Sequence, residues 1–233
     1  MVQRLVPLSI RQSANDVNGV IYAATYVLSA ITLAFSLYMG NQEVNEARAT
    51  VEREAESLEG ISEIAQQLPR PERDRIQELV ESYAHTVVEE EWPLMARGGE
   101  SEESPRAEAL VDELQHTVLS LRPATATEQA LSSQGITLVH DVEEEREIRL
   151  LHSRQDSHRL LWYVLVVGGV ITVVLSLFFG SKVVWLQGLL VAALTTVVVL
   201  TLYATYQLQD PFAGSVRVEP EAFEEVLDDI RAH

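Results

Sequence analysis

The sequence contains no cysteine. That excludes disulfides, thiolate metal sites and a cysteine nucleophile. Lysine is almost missing: Lys182 is the only one, and every other base is arginine. Bases are scarce altogether, 17 against 35 acids, for a net charge of −18. A phosphate backbone finds no basic surface on such a chain, so nucleic acid is disfavoured as a partner. No small-residue cleavage site follows a short apolar core near Met1, so the start does not read as a signal peptide. Nucleophile elbow, phosphate-binding glycine loop, HExxH and EF-hand loop are all missing, as is any stretch of strand-like alternation. No acid–base pair or nucleophile is placed for catalysis, so the chain does not read as an enzyme and implies no cofactor.

What is present is apolar length. Val17–Gly40 carries no charge. At about 1.5 Å per residue it reaches about 36 Å, enough to cross a hydrocarbon core of roughly 30 Å with some tilt. Its polar side chains are not scattered. At about 100° per residue Asn18, Tyr22, Thr25, Tyr26, Ser29, Thr32 and Ser36 fall within an arc of roughly 120°, with Tyr38 outside it. Lipid gives such a stripe nothing to do. Two uses remain open: close packing against other helices, or the lining of a pore or cavity.

Leu160–Gly180 and Val183–Leu208 are two further spans. The two residues between them, Ser181 and Lys182, allow only a tight turn, so these spans form a hairpin across the bilayer. Mean hydropathy of +0.05 thus hides three very apolar segments and a very acidic remainder. With three spans, the middle region and the C-terminal tail share one side. Arg48, Arg53, Arg146, Arg149, Arg154, Arg159 and Arg217 lie near the span ends on that side, against Arg4, Arg11 and Lys182 on the other. The positive-inside rule places the acidic region and the C-terminus in the cytoplasm and Met1 outside.

The middle region reads as helices. Val44, Ala47, Val51, Ala55 (or Glu54), Leu58, Ile61, Ala65 and Leu68 recur at spacings of three and four, so a long stalk helix is expected to continue from the first span. Gly60 is a place for a bend, and Pro69 and Pro71 end it. A second helix is expected over Pro71–Glu91, burying Ile76, Val80, Tyr83 and Val87 and closed by Trp92-Pro93. Arg97–Ser104 reads as a loop. A third helix covers Pro105–Leu121, burying Leu110, Leu114, Val118 and Leu121. A fourth, capped by Thr125 or Thr127, runs through Leu131, Val139, Val142, Ile148 and Leu151, with Gly135 as an early break.

Charge clusters have plain readings. Glu143, Glu144, Glu145 and Glu147, near Asp141, suit a bound calcium ion or, more simply, a solvated helix face; Glu89-Glu90-Glu91 reads the same way. His152 and His158 do not share a helix face, which removes a metal site with Asp156. After the last span comes Asp210-Pro211-Phe212-Ala213-Gly214, a helix stop with an aromatic free to fold back on apolar surface.

Taken in order, Asn15-Asp16-Val17 with Gly19, Glu54-Ala55 with Leu58, Leu68-Pro69, Tyr83 and Glu91-Trp92-Pro93 form one set. Arg149-Leu150, Leu161-Trp162, Asp210-Pro211-Phe212 with Gly214, Pro220 and Phe223 complete it. In this set the chain resembles the bestrophin-like membrane family of bacteria and plants, a domain-of-unknown-function family. The Asp-Pro-Phe stretch is similar to the acidic-Pro-Phe-Gly stretch after the last span of bestrophins. Bestrophins are pentameric anion channels with a helical cytoplasmic domain. The resemblance implies that architecture, anion conduction, and the pore-lining role for Val17–Gly40. The family pattern has one more span ahead of the position of Asn15.

The expected fold is therefore an all-α integral membrane protein: three transmembrane helices, with a long-helix cytoplasmic bundle inserted between the first and second. Residues 1–16 form an N-terminal segment, 17–40 the first span, 41–159 the acidic domain, 160–180 and 183–208 the other spans, and 209–233 the tail. The expected partners are the cell-membrane bilayer, further copies of the chain (a pentamer by resemblance) and small inorganic ions. Asn15, Asn18, Tyr22, Thr25, Tyr26, Ser29, Thr32 and Ser36 are the candidate pore lining. Asp210, Pro211, Phe212 and Gly214 form the post-membrane motif. The alternative is a non-conducting scaffold or sensor whose cytoplasmic helices bind a partner.

Overall fold

The computed structural model describes residues 8–97, 103–153, 159–178, 184–208, 210–213 and 216–232, with the helical backbone alone over 8–22, 159–161, 178, 184, 186 and 187. Every regular element among them is helical. The chain divides into two units: residues 1–40 with 158–207, and residues 41–157 with 208–233.

The first unit contains the start of α1 (Leu8–Gln66), α6 (Arg159–Phe178) and α7 (Val184–Gln207). It is apolar on the outside, and several hydroxyl side chains are buried within it beside Leu165 and Val198. Leu28, Ile31, Phe35, Tyr163, Val167, Val170, Leu189 and Leu200 are exposed, while Ser36, Thr172, Ser176 and Thr205 are buried. Water does not tolerate that much contiguous apolar surface, but a bilayer requires it. Hydroxyls inside such a unit bond the carbonyl one turn back: Thr195 to Val191 and Thr205 to Thr201, at 2.8 and 2.9 Å. α6 and α7 run antiparallel. Trp162 stacks obliquely on Tyr206 at one end, and Gly169 lies under Val198 and Leu202 further along. A Cβ on Gly169 would stand 3.0 Å from Val198 Cγ1, so glycine here sets how closely the two helices approach.

Two described helices are long and apolar enough to cross a membrane, α1 over its Ala23–Gln66 part and α7 over Gly188–Gln207. The expected third, α6, has a shorter described apolar run, Trp162–Leu177. The residues that would extend it toward the tight turn at Ser181-Lys182 lie outside the described set.

The second unit is built on the rest of α1, α2 (Arg70–Thr86), α3 (Trp92–Arg97), α4 (Pro105–Leu119), α5 (Ala126–Ser153) and α8 (Glu221–Ala232). All eight stalk positions from Val44 to Leu68 are buried, together with Ile76, Val80, Tyr83 and Val87. That stripe is what makes a long helix a wall of a core rather than a free rod. α1 runs through Gly60 unbroken. A Cβ there would meet Leu138 Cδ1 at 3.0 Å, so the glycine serves close packing of α5. α5 likewise runs through Gly135, which faces Val118 of α4.

Several expectations need correction. α1, which holds the expected first span, starts at Leu8, within the N-terminal segment for which no helix was expected. Trp92-Pro93 does not close the second helix. A π-helical turn, Val87–Glu91, follows α2 and passes directly into α3. Proline inside an α-helix clashes with the carbonyl four residues back, and the wider turn relieves that clash ahead of Pro93. Leu151 is 55% exposed and Leu150 takes its place in the core. The C-terminal tail, for which no helix was expected, carries α8, which follows Pro220 and buries Phe223, Val226 and Leu227. The Arg97–Ser104 loop falls largely outside the described residues, and Ser104 caps α4 by accepting from the Ala107 amide.

Candidate functional site

The first site is a groove of ≈230 Å³ in the membrane unit. Thr25, Leu28, Ser29, Thr32 and Leu33 of α1 form one wall; Val164, Leu165, Gly168 and Gly169 of α6 form the other. Gly168 leaves it open, since a Cβ there would have nothing within 4 Å. Ser29 Oγ and Thr172 Oγ1 are 2.9 Å apart. Thr172 donates to the Gly168 carbonyl, Thr32 to Leu28 and Ser36 to Thr32, each at 2.9 Å.

The polar stripe on α1 is therefore divided. Thr25, Ser29 and Thr32 reach the groove. Ser36 is buried in the unit, which is the packing role, and Tyr26 is 42% exposed. Asn15, Asn18 and Tyr22 lie on the helical backbone of α1, with side chains outside the described residues. Leu33, an apolar neighbour, joins the wall.

The second site is a charge network in the core of the other unit. Arg149 has no exposed surface. Its Nε donates to Glu54 Oε2 at 2.7 Å, and its Nη2 donates to Glu91 Oε2 at 2.8 Å and to Glu54 Oε1 at 3.2 Å. Tyr83 Oη donates to Glu54 Oε1 at 2.5 Å. Glu91 Oε1 accepts from Arg146 Nη2 at 2.7 Å and from the Ser104 amide at 3.1 Å. Burial pushes the Glu91 carboxyl up, but Arg149 and Arg146 outweigh it and hold it below its ordinary value. Burial, reinforced by the Glu54 carboxylate, drives Tyr83 well above its usual value, so it stays a neutral donor. Burial works against the Arg149 cation, but Glu54 and Glu91 more than restore it.

The post-membrane motif lies against this network. Asp210 Oδ1 accepts from the Phe212 and Ala213 amides at 3.3 and 3.1 Å, a turn that follows the end of α7. Pro211 and Phe212 are buried. Phe212 meets Trp92 edge-on, with centroids 5.6 Å apart, and Trp92 meets Phe223 at 6.0 Å. The Phe223 ring lies 5.7 Å from the Arg149 guanidinium carbon. Gly214 lies outside the described residues.

The solvated-face reading fails for two acids. Glu91 is fully buried, and Glu145, at 8% exposure, pairs with Arg53 on α1. The signal was periodicity. Glu54 is three residues from Val51 and four from Leu58; Glu91 is four from Val87; Arg149 is seven from Val142. Each charge occupies a core position of its helix. Asp156 and His158 lie outside the described residues, and no group placed to hold a metal ion occurs among the described ones.

The exposed apolar surface of α1, α6 and α7 and the length of two of these helices point to a membrane protein. The sequence profile of the Bestrophin-like domain matches residues 1–223, and the chain belongs to the bestrophin-like family. No curated protein and no solved structure matches it.

Proposed function

We propose that the chain is the subunit of a homo-oligomeric ion channel of the cell membrane, with the hydroxyl face of α1 lining the path. It crosses the membrane three times, through 17–40, 160–180 and 183–208, and it carries out no catalysis. Residues 41–159 and the tail lie in the cytoplasm, by the arginine bias at the span ends. The number of subunits, five, and the anion preference of bestrophins come to this chain from family resemblance alone.

The observation that carries the reading is the groove itself: three hydroxyl side chains of one membrane helix, Thr25, Ser29 and Thr32, gathered on a cavity of ≈230 Å³. Hydroxyl groups gathered on an open groove of a membrane helix can replace part of an ion's hydration shell. Asn15 and Asn18 would form one mouth, and Tyr22 and Tyr26 would narrow the path.

A second reading has its own support. Ser29 bonds Thr172 within the same chain and Ser36 is buried, as dry packing in a non-conducting scaffold or sensor requires. Flux assays on the purified oligomer in liposomes separate the two. A channel passes ions and loses flux in Thr32→Leu, because Thr32 is exposed within the chain and its hydroxyl bonds a carbonyl of its own helix. A scaffold passes none.

A further inference from the structure

α6 carries two adjacent glycines, and they do different things. Gly169 is buried, and a Cβ on it would stand 3.0 Å from Val198 Cγ1 of α7. Close packing of two helices explains that glycine. Gly168 has no such neighbour: a Cβ on it would meet nothing within 4 Å. Packing within the chain does not require glycine there, and glycine is a poor helix former. What it provides is space.

The space lies in the groove. On the face of α6 that holds Gly168, the positions one turn before and one turn after are Val164 and Thr172, both branched at Cβ. Val164 lines the groove, and Thr172 meets Ser29 of α1 at 2.9 Å. Gly168 is thus a notch between two branched side chains, in the wall opposite Thr25, Ser29 and Thr32. A volume of ≈230 Å³ holds several water molecules at about 30 Å³ each, and the hydroxyl oxygens across the groove give them partners.

We propose that Gly168 sets the bore of the path: its missing side chain leaves the room through which a partly hydrated ion passes between α1 and α6. The proposal rests on the channel reading and names the residue that fixes the width of that path.

The test exploits a chain with no cysteine of its own. Gly168→Cys puts a single thiol into the full-length oligomer. A charged methanethiosulfonate reagent attacks a thiolate in water, and does not reach a thiol held in lipid or in dry packing. In a planar bilayer with symmetric KCl, the reagent should cut the current of Gly168→Cys several-fold and leave that of the natural chain unchanged. Without reagent, current should fall stepwise from the natural chain to Gly168→Ala to Gly168→Leu, with the assembly of Gly168→Ala as in the natural chain. A conducting Gly168→Cys oligomer that ignores the reagent, or a Gly168→Leu oligomer with full current, overturns the role of Gly168 and leaves the channel standing. Loss of assembly in Gly168→Ala overturns it too, by showing that the glycine admits a helix of a second copy. Absence of current from a verified oligomer of the natural chain overturns the channel reading and this one with it.

Discussion

The two units of this chain meet the same problem, polar groups shut away from water, with different chemistry. In the second unit the groups are charged and their partners are distant in sequence: Arg149 answers Glu54 on α1 and Glu91 at the end of the π-helical turn. In the membrane unit they are hydroxyls, and most answer a carbonyl one turn back on the same helix. A bond between helices fixes their register. A bond within a helix fixes nothing outside it. Ser29 and Thr172 form a hydroxyl pair that ties α1 to α6. The core of the second unit is thus specified by named ion pairs, and the membrane unit by shape, with Gly169 at a close approach of α6 and α7. A unit held by shape can adjust its spacing more easily than one held by buried charge.

The largest effect that would break this contrast falls on Arg149. Arg149→Met leaves the buried Glu54 and Glu91 without their shared cation, and should cost about 3–5 kcal/mol in chemical unfolding followed by tryptophan fluorescence. A loss below about 1 kcal/mol would mean the network does not hold the core. Acid sharpens the same point. Glu91 has a folded value below the ordinary one, so its ionised form stabilises above the unfolded value of about 4.3. That contribution is lost as pH falls through the folded value. Glu91→Gln should be less stable than the natural chain at neutral pH and show a shallower loss below about pH 4.

In the membrane unit, Gly169→Leu forces a side chain against Val198 and should cost about 1–3 kcal/mol, read as a lower thermal midpoint in detergent. Its neighbour provides the control: Gly168→Ala places a methyl in open space and should leave that midpoint unchanged.

The smallest effect is expected at Glu145. Its Oε2 is buried without a hydrogen-bond partner, and its Arg53 is half exposed. Burial, with the Glu144 and Glu54 carboxylates beside it, raises this carboxyl despite Arg53. The sign is opposite to that of Glu91. Stability gains as pH falls through the raised folded value, so ionisation at neutral pH is unfavourable. Glu145→Gln should change neutral stability by less than about 1 kcal/mol and remove that gain on acidification.

Much of this contrast was legible in the residues. The stalk stripe from Val44 to Leu68 and the faces around Ile76, Tyr83 and Leu114 followed from helical period alone. The charge network did not, because a charge at a core position reads as solvated until its partner is known, and Glu54, Glu91 and Arg149 come from three separate segments. Local rules misplaced the helix end at Pro93, where a widened turn absorbs the proline. They also missed α8, although Phe223, Val226, Leu227 and Ile230 carry helical spacing. The Glu-Trp-Pro, Arg-Leu and Asp-Pro-Phe stretches, on which the sequence resemblance was read, all come together around Arg149 and Trp92. They are therefore marks of how the second unit holds together. The stripe on α1 was readable as a stripe, but its division between packing at Ser36 and a groove at Ser29 and Thr32 needed α6 in place.

The most direct measurement is ion flux through liposomes containing purified Thr32→Leu, run beside the natural chain and with the unfolding midpoint and oligomeric state of both recorded. If the hydroxyl face of α1 lines the path, flux falls several-fold while midpoint and assembly stay as they were. Unchanged flux, or a loss of flux that accompanies a loss of assembly, would contradict that account.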